Sequence, residues 1–358
     1  MQGKARRLSV TAAATVVLGV SGLLSAAPAA AATSHASALS VHVFAAGTPT
    51  MTQPDDITAL DGNVYVGWQN GIGPAGQPSP TGATASTVVG YRSTGQRAGV
   101  WHVTGHADGL TADPSRHVVI VTVNEDGNSS LYTITPAAPA GHQLEHYTYN
   151  VQPLPHGGGT DAISVYRGVI LISASAPTVA NGPAVYRVQL EPGGRAVVQP
   201  IFFDNSPATV ANVDSPSSGR WVTLALTDPD SNEVVPASSP RFAGDFMLDS
   251  QGDEEQIYVA GADGPRPALS VLDLSQSVDD TAWPTDAGGT LFVTDGVDNE
   301  VFTVRGDFPS GSAFVAVTPG DANKPLNHPN YLGRLDLETG AITAAVTTIQ
   351  AKGLLFVP

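Results

Sequence analysis

Apolar residues along this chain come in short runs rather than in long helical stripes. Val64-Tyr65-Val66, Val118–Val121, Val169–Ile172, Val222–Leu226, Ile257-Tyr258-Val259 and Leu291-Phe292-Val293 are rich in β-branched and aromatic residues and bounded by turn residues. Past residue 32 no stretch keeps a 3.6-residue apolar period over three turns, so the pattern predicts strands joined by turns, an all-β chain. Second apolar runs follow at Thr87–Tyr91, Ser130–Ile134, Ala184–Val188, Ala268–Leu272 and Glu300–Val304.

The runs repeat. A polar residue leads an apolar or small one, a turn follows about seven residues later, and an apolar strand then begins. The unit reads Asp55-Asp56-Ile57 before Val64, Asp108-Gly109-Leu110 before Val118, and Asp161-Ala162-Ile163 before Val169. It reads more loosely as Asn212-Val213-Asp214 before Trp221, with Asp245-Phe246-Met247 a rival for that fourth start. It returns as Asp280-Thr281-Ala282 before Leu291, and a last start, Lys352-Gly353-Leu354, stands near the C-terminus. Starts spaced by roughly 50 to 70 residues, each opening three or four short strands, predict a six-bladed β-propeller, with five or seven blades as the alternatives. A β-sandwich also uses many short strands but predicts no such spacing. The sixth blade would draw on both termini, Lys352 onward and Ser40–Phe44, which removes exposed sheet edges. The stretches Pro229–Pro240 and Pro319–Pro329 are expected to be loops.

The first 32 residues read differently. Lys4, Arg6 and Arg7 precede an apolar stretch, Val10–Leu24, and a small-residue run, Ala26–Ala32. That is the layout of a cleaved signal peptide, and the stretch is shorter than a membrane-spanning helix needs. The expected organisation is therefore a signal peptide over 1–32, a single propeller domain over 33–358, and a secreted, monomeric product. Composition adds exclusions. The absence of Cys removes disulfides, thiolate nucleophiles and Cys-ligated metals. A net charge of −16 disfavours nucleic acid and anionic membranes as partners.

In a propeller the first strand of each blade lies nearest the axis. Asp55, Asp108, Asp161, Asn212, Asp280 and Lys352 would then face one channel. Carboxylates so crowded must raise their pKa, stay hydrated or find a cation. The first five form the candidate metal set, because Asp and Asn oxygens from separate blades suit calcium or another divalent ion. The competing expectation is that each Asp bonds backbone N–H groups and holds its own turn, with Lys352 as counter-ion. His106, two residues before Asp108, is the candidate general base. His102, about 13 Å away along a strand, is too far to share an ion with it. His156-Gly157-Gly158-Gly159 reads as a flexible approach to the third blade. Asp228, Asp230 and Asn232 copy half of a calcium loop, but Glu233 replaces its Gly, which favours a solvated turn. The four Trp residues are expected to fill the core.

Asp108-Gly109-Leu110 and Lys352-Gly353-Leu354 resemble the polar-Gly-apolar openings of NHL-type propellers and of the gluconolactonase, or senescence-marker-protein-like, family. Asp286–Asp295 with Asn299-Glu300-Val301 resembles the inner hairpin of an NHL blade. The resemblance implies an axial calcium-type ion held by Glu, Asn and Asp side chains. Asp108 and Asn212 stand at matching positions, whereas Asp55-Asp56 replaces an early Glu-Gly and Lys352 a neutral or acidic residue. Two functions follow as expectations. One is a secreted binding module for a small molecule or an extracellular protein, with a divalent cation in its channel. The alternative is a metal-dependent hydrolase of the lactonase type.

Overall fold

The computed structural model describes residues 39–318 and 329–358. The signal-peptide segment and nearly all of the loop expected at 319–329 lie outside the described residues. The described chain is β throughout, apart from one 3-10 turn at Gln251–Asp253.

Its strands form six antiparallel four-stranded groups. The first runs Pro54–Leu60, Asn63–Trp68, Ala85–Arg92 and Arg97–Thr104. The second runs Ala107–Asp113, Val118–Val123, Ser130–Ile134 and Leu144–Tyr149. The third is Ile163–Tyr166, Val169–Ser173, Pro183–Glu191 and Arg195–Phe203. The fourth is Pro229–Val234, Phe246–Ser250, Glu255–Ala260 and Ala268–Asp273. The leading strands of successive groups touch one another in order, and the last returns to the first, so they close a ring.

The fifth and sixth groups are interleaved. Val278–Ala282 pairs not with the next strand in sequence but with Ala313–Val317, followed by Tyr331–Leu335 and Ile342–Val346. The intervening hairpin, Thr290–Asp295 with Glu300–Arg305, sits in the sixth group between Leu354–Val357 and Ser40–Ala46. The sequence pattern marks Leu291–Val293 as a strand and assigns it to the fifth unit. Its true neighbours are the two terminal strands, which share one sheet as expected. Pairing across such distances depends on which faces bury together, and a local apolar run does not encode that.

Each seam between groups holds its own apolar core. Along Val118–Val123, Val119, Val121 and Val123 pack toward the first group, while Ile120 packs toward the third. Along Thr290–Asp295, Leu291 and Val293 face the fifth group and Phe292 the first. Alternate side chains of one strand therefore enter two different cores, which is why these strands read as unbroken apolar runs.

Near the axis every seam is also bridged by a buried side-chain hydrogen bond. Asp56 accepts the Leu110 N–H across the first seam. The Thr122 hydroxyl donates to the Asp161 carbonyl across the second, 2.6 Å, and Asn232 Nδ2 to the Ala162 carbonyl across the third, 2.7 Å. The Thr281 hydroxyl reaches Asp249 across the fourth, 3.0 Å, and Asp280 accepts the Leu354 N–H across the fifth, 2.6 Å. The Thr294 hydroxyl closes the ring on the Asp55 carbonyl, 2.5 Å. Two glycines owe their place to this closeness. A Cβ on Gly109 would stand 2.6 Å from Ala162 Cα, and one on Gly353 2.2 Å from the Asp55 carbonyl oxygen.

Several loop and core expectations are overturned. Pro229–Val234, expected as a loop, is the fourth leading strand; Pro is tolerated as the first residue of a strand because its missing N–H is not needed there. The run expected at Val222–Leu226 is only a short strand, Trp221–Thr223, on an extra hairpin with Pro207–Val210. Trp221 is 70% exposed, whereas Trp68, Trp101 and Trp283 are buried as expected. His156 is fully buried between the Tyr186 hydroxyl and the Gly159 carbonyl, each 2.7 Å away, so its glycine run is a packed element.

Gly353→Ala should lower the unfolding free energy by roughly 1–3 kcal/mol, because the obstructing atoms are backbone. Gly288→Ala, with no atom closer than 3.9 Å to the added carbon, should change it by less than about 0.5 kcal/mol. Denaturant titration of the two variants checks this, and equal effects would disprove the steric account.

Candidate axial site

The leading strands deliver polar side chains to a cavity of about 220 Å³ on the axis. A plain strand would send neighbours such as Asp55 and Asp56 to opposite faces. Here the register slips between Pro54 and Ile57, Ala107 and Leu110, Pro229 and Asn232, and Val278 and Asp280. Such bulges re-aim side chains. Consecutive acids, Asp55 with Asp56 and Asp279 with Asp280, therefore line the same space. Asp161 and Lys352 reach it from just before their strands. In ring order the six groups contribute Asp55, Asp108, Asp161, Asp230, Asp279 and Lys352.

Four of the five predicted metal residues, Asp55, Asp108, Asp161 and Asp280, thus meet in one cavity, with Lys352 among them. Asn212 does not. It lies at the outer edge of the fourth group, where Nδ2 donates to the carbonyls of Asp273 and Thr339 at 2.8 Å and Oδ1 accepts the Asp273 N–H. Its apparent repeat opening was the lead-in to the extra hairpin. The rival Asp245 precedes the second strand of the fourth group. The fourth position belongs to Asp230, inside the Asp228-Asp230-Asn232 pattern that sequence reading took for a solvated turn. The bulge between Pro229 and Asn232 lets Asp230, Ser231, Asn232 and Glu233 all line the cavity, which strand alternation does not predict, so no local signal marks the position.

Ten carboxylates line the cavity, with Lys352 as the one cation among its described lining residues. Lys352 Nζ is 2.8 Å from Asp55 and 3.7 Å from Asp279, its two ring neighbours. Burial alone would depress the ammonium, but Asp279, Asp55 and Asp108 outweigh it and hold Lys352 well above its ordinary pKa. Gln69 and Gln251 donate to Asp55 and Asp279 at 2.8 and 2.7 Å. Asp56 and Asp280 serve the seams, each accepting two backbone N–H groups. Those two fit the structural expectation for Asp at a strand opening. Burial nevertheless raises both, reinforced by neighbouring acids.

His106, the candidate base, is buried beside Asp108 and Glu125. Its Nδ1 lies 2.6 Å from the Ile72 carbonyl. A carbonyl can only accept, so Nδ1 carries the proton. Burial lowers the imidazole pKa, which leaves Nε2 unprotonated. That lone pair lies 3.8 Å from Asp108 Oδ1 and 3.7 Å from Glu125 Oε1, and the three groups can place one ligand atom each within 4.8 Å of the others. Burial and neighbouring acids push Asp108 well up, and burial raises Glu125 to about 7. Asp108 Oδ2 is buried with no hydrogen-bond donor among the described residues. Lone pair, two carboxylates and an unsatisfied oxygen together are a donor set suited to a cation.

The surroundings hold this set in place. Asn124 Oδ1 accepts the His106 N–H at 2.9 Å, and the Asn124 N–H donates to the His106 carbonyl at 2.8 Å. Ser129 Oγ donates to the Asn124 carbonyl and accepts the Thr160 N–H. A Cβ on Gly159 would fall 2.0 Å from the Glu125 carbonyl oxygen, so the packed glycine run sets the depth of Glu125. Glu125 follows a strand and opens a turn at Asp126-Gly127, and nothing local to the sequence ties it to the axis.

No family model matches the chain, and no curated protein matches it. Solved structures similar to it include a protein of unknown function from Bacteroides caccae, 11% identical, covering 85% of this chain and 86% of that one with a TM-score of 0.44. They include the periplasmic gluconolactonase PpgL of Pseudomonas aeruginosa, at 13% identity, 85% and 88% coverage and a TM-score of 0.45. The gluconolactonase XC5397 of Xanthomonas campestris is also similar, at 14% identity, 74% and 89% coverage and a TM-score of 0.38. Likeness of this degree leaves the chemistry to be read from the side chains.

Burial likewise raises Glu233, at the cavity wall, from 4.5 to about 7. With Glu125 and Glu233 raised, the folded chain holds more protons than the unfolded chain between pH 4.5 and about 7. Stability is then fullest below this window and declines as pH rises through it. In EDTA the melting temperature should fall between pH 5 and pH 8. A flat or rising profile would show that these carboxyls are not buried in the fold.

Proposed function

We propose that this chain is a secreted six-bladed β-propeller that binds a divalent cation through His106, Asp108 and Glu125 and a small molecule in the adjoining axial cavity. The observation that carries the proposal is the orientation of His106. Its Nδ1 proton is tied to a carbonyl, and its Nε2 lone pair faces two carboxyl groups. Without a cation or a proton between them, those acceptors oppose one another. Second-group partners of this kind characterise imidazole ligands. The blade count is supported by six leading strands closed in a ring and six seam cores. Secretion is supported by the charge, apolar and small-residue order of residues 1–32.

The donor set modifies the calcium expectation. Calcium favours six to eight oxygens, whereas one imidazole with two carboxylates suits a borderline ion of the zinc type. Asp55 and Asp161, next to Asp108 in the ring, lend negative potential rather than direct ligation. The net charge of −16 argues against nucleic acid as the ligand. No helix among the described residues is long and apolar enough to cross a membrane.

A metal-dependent hydrolase of the lactonase type is the second reading. It is favoured by the size of the donor set, since His106, Asp108 and Glu125 would hold an ion with three protein ligands, the count of catalytic rather than structural sites. A bound ion of this kind supplies Lewis acidity toward a carbonyl. The chain's own part would be Glu125 and Glu233, whose carboxyls near neutrality can hold or release a proton.

Zinc at about 100 times its Kd should stabilise the protein by about 2.7 kcal/mol, raising its melting temperature more than calcium does. His106→Ala should abolish that rise. Calorimetry with zinc, calcium and EDTA checks this, and a His106→Ala variant that responds like the parent would refute the site. Turnover of a panel of five- and six-membered lactones, lost with Glu125→Gln, would select the hydrolase.

A further inference from the structure

The cation set occupies one side of the cavity, and Lys352 compensates another. Between them the third and fourth groups present a third set, which feels the Lys352 charge but forms no ion pair with it. Asp161 and Asp230 are ring neighbours at the cavity wall, and burial raises both carboxyls well above their ordinary range. Among the described residues, no N–H group or hydroxyl donates to either carboxyl, in contrast to Asp56, Asp280, Asp55 and Asp279. Asn232 lines the same cavity and is only 3% exposed. Its Nδ2 is committed to the Ala162 carbonyl, and its Oδ1 has no hydrogen-bond partner. A buried amide oxygen without a donor is destabilising unless something supplies one.

The geometry points to Asp161, Asp230 and Asn232 as a subsite for a primary alkylammonium group, so that the small molecule held in this cavity carries an amine. An ammonium offers three N–H donors and no acceptor, and this wall offers two carboxyl groups and an amide oxygen, with the Asn232 Nδ2 and Ser231 hydroxyl donors already committed elsewhere. Its single positive charge also matches a carboxyl pair that keeps one proton, because two adjacent carboxylates cannot both ionise readily. Lys352 shows that the ring accepts such a group, since its own ammonium sits between Asp279 and Asp55 on the other side. A carboxylate ligand would instead meet ten acidic groups with one cation already paired. The inference rests on the axial cavity being a ligand site but not on the His106 cation, and the two can be tested apart.

The experiment is isothermal titration of the full chain, dialysed against EDTA, with n-butylammonium, tetramethylammonium and butyrate. Butylammonium should bind saturably at millimolar concentration. Tetramethylammonium, with equal charge but no N–H, and butyrate should bind about tenfold more weakly or not at all. Asp161→Asn and Asp230→Asn, tested separately because each keeps the side-chain shape, should weaken butylammonium by about tenfold or more. The exposed Asp286→Asn should leave it unchanged. Absence of saturable butylammonium binding, equal binding of tetramethylammonium, or undiminished binding in both Asn variants would each overturn the subsite. Because no metal ion is present, failure here leaves the zinc response intact, and failure of the zinc response leaves this result standing.

Discussion

Everything at the axis depends on how closely neighbouring leading strands approach. Each such strand pairs on its outer side only, so its other backbone groups face a narrow, crowded space. Buried backbone groups have to be matched. Side chains from the adjacent group do this at five of the six seams, through Asp56, Thr122, Asn232, Asp280 and Thr294, while at the fourth the Thr281 hydroxyl meets the Asp249 side chain. Gly109 and Gly353 belong to the same solution. Thr122 and Thr294 each accept the N–H of one of these glycines while donating to the next group's carbonyl, so two seams are built alike. The polar-Gly-apolar openings are thus first a packing requirement.

Charge at the axis follows from that construction. Bulges turn paired acids inward, and the acids that bridge seams leave their ring neighbours without backbone donors. The protein compensates in separate ways around the ring. Lys352 serves Asp55 and Asp279, backbone N–H groups serve Asp56 and Asp280, and burial raises Asp161 and Asp230 toward the neutral acid. The sector around His106 and the Asn232 oxygen remain with acceptors in excess. A scaffold that needs polar openings to close its seams thereby carries sites that can take positive charge.

The axial site was legible where polar residue, repeat spacing and strand start coincide. Asp55, Asp108, Asp161 and Lys352 could be placed because each opens a unit whose next strand follows in sequence or whose glycine marks close approach, and Asp280 because an apolar strand follows it at the repeat distance even though that strand belongs to another group. The fourth position was obscured because the extra hairpin at residues 207–223 imitates a repeat start, while the true strand begins with Pro and looks like a loop. Glu125 was not legible. It is brought inward by the distant Gly157–Gly159 run packed on its backbone, and by the bond from His106 that anchors its neighbour Asn124.

Sequence alone determined the all-β character, the identity of most strands and the polar residues that open them, because apolar periodicity and turn chemistry are local properties. Tertiary structure alone decided the interleaving of the fifth and sixth groups, the displacement of Asn212 by Asp230, and the meeting of His106, Asp108 and Glu125. These depend on which buried faces combine and on how closely backbones can pass, and such terms exist only once distant segments are side by side.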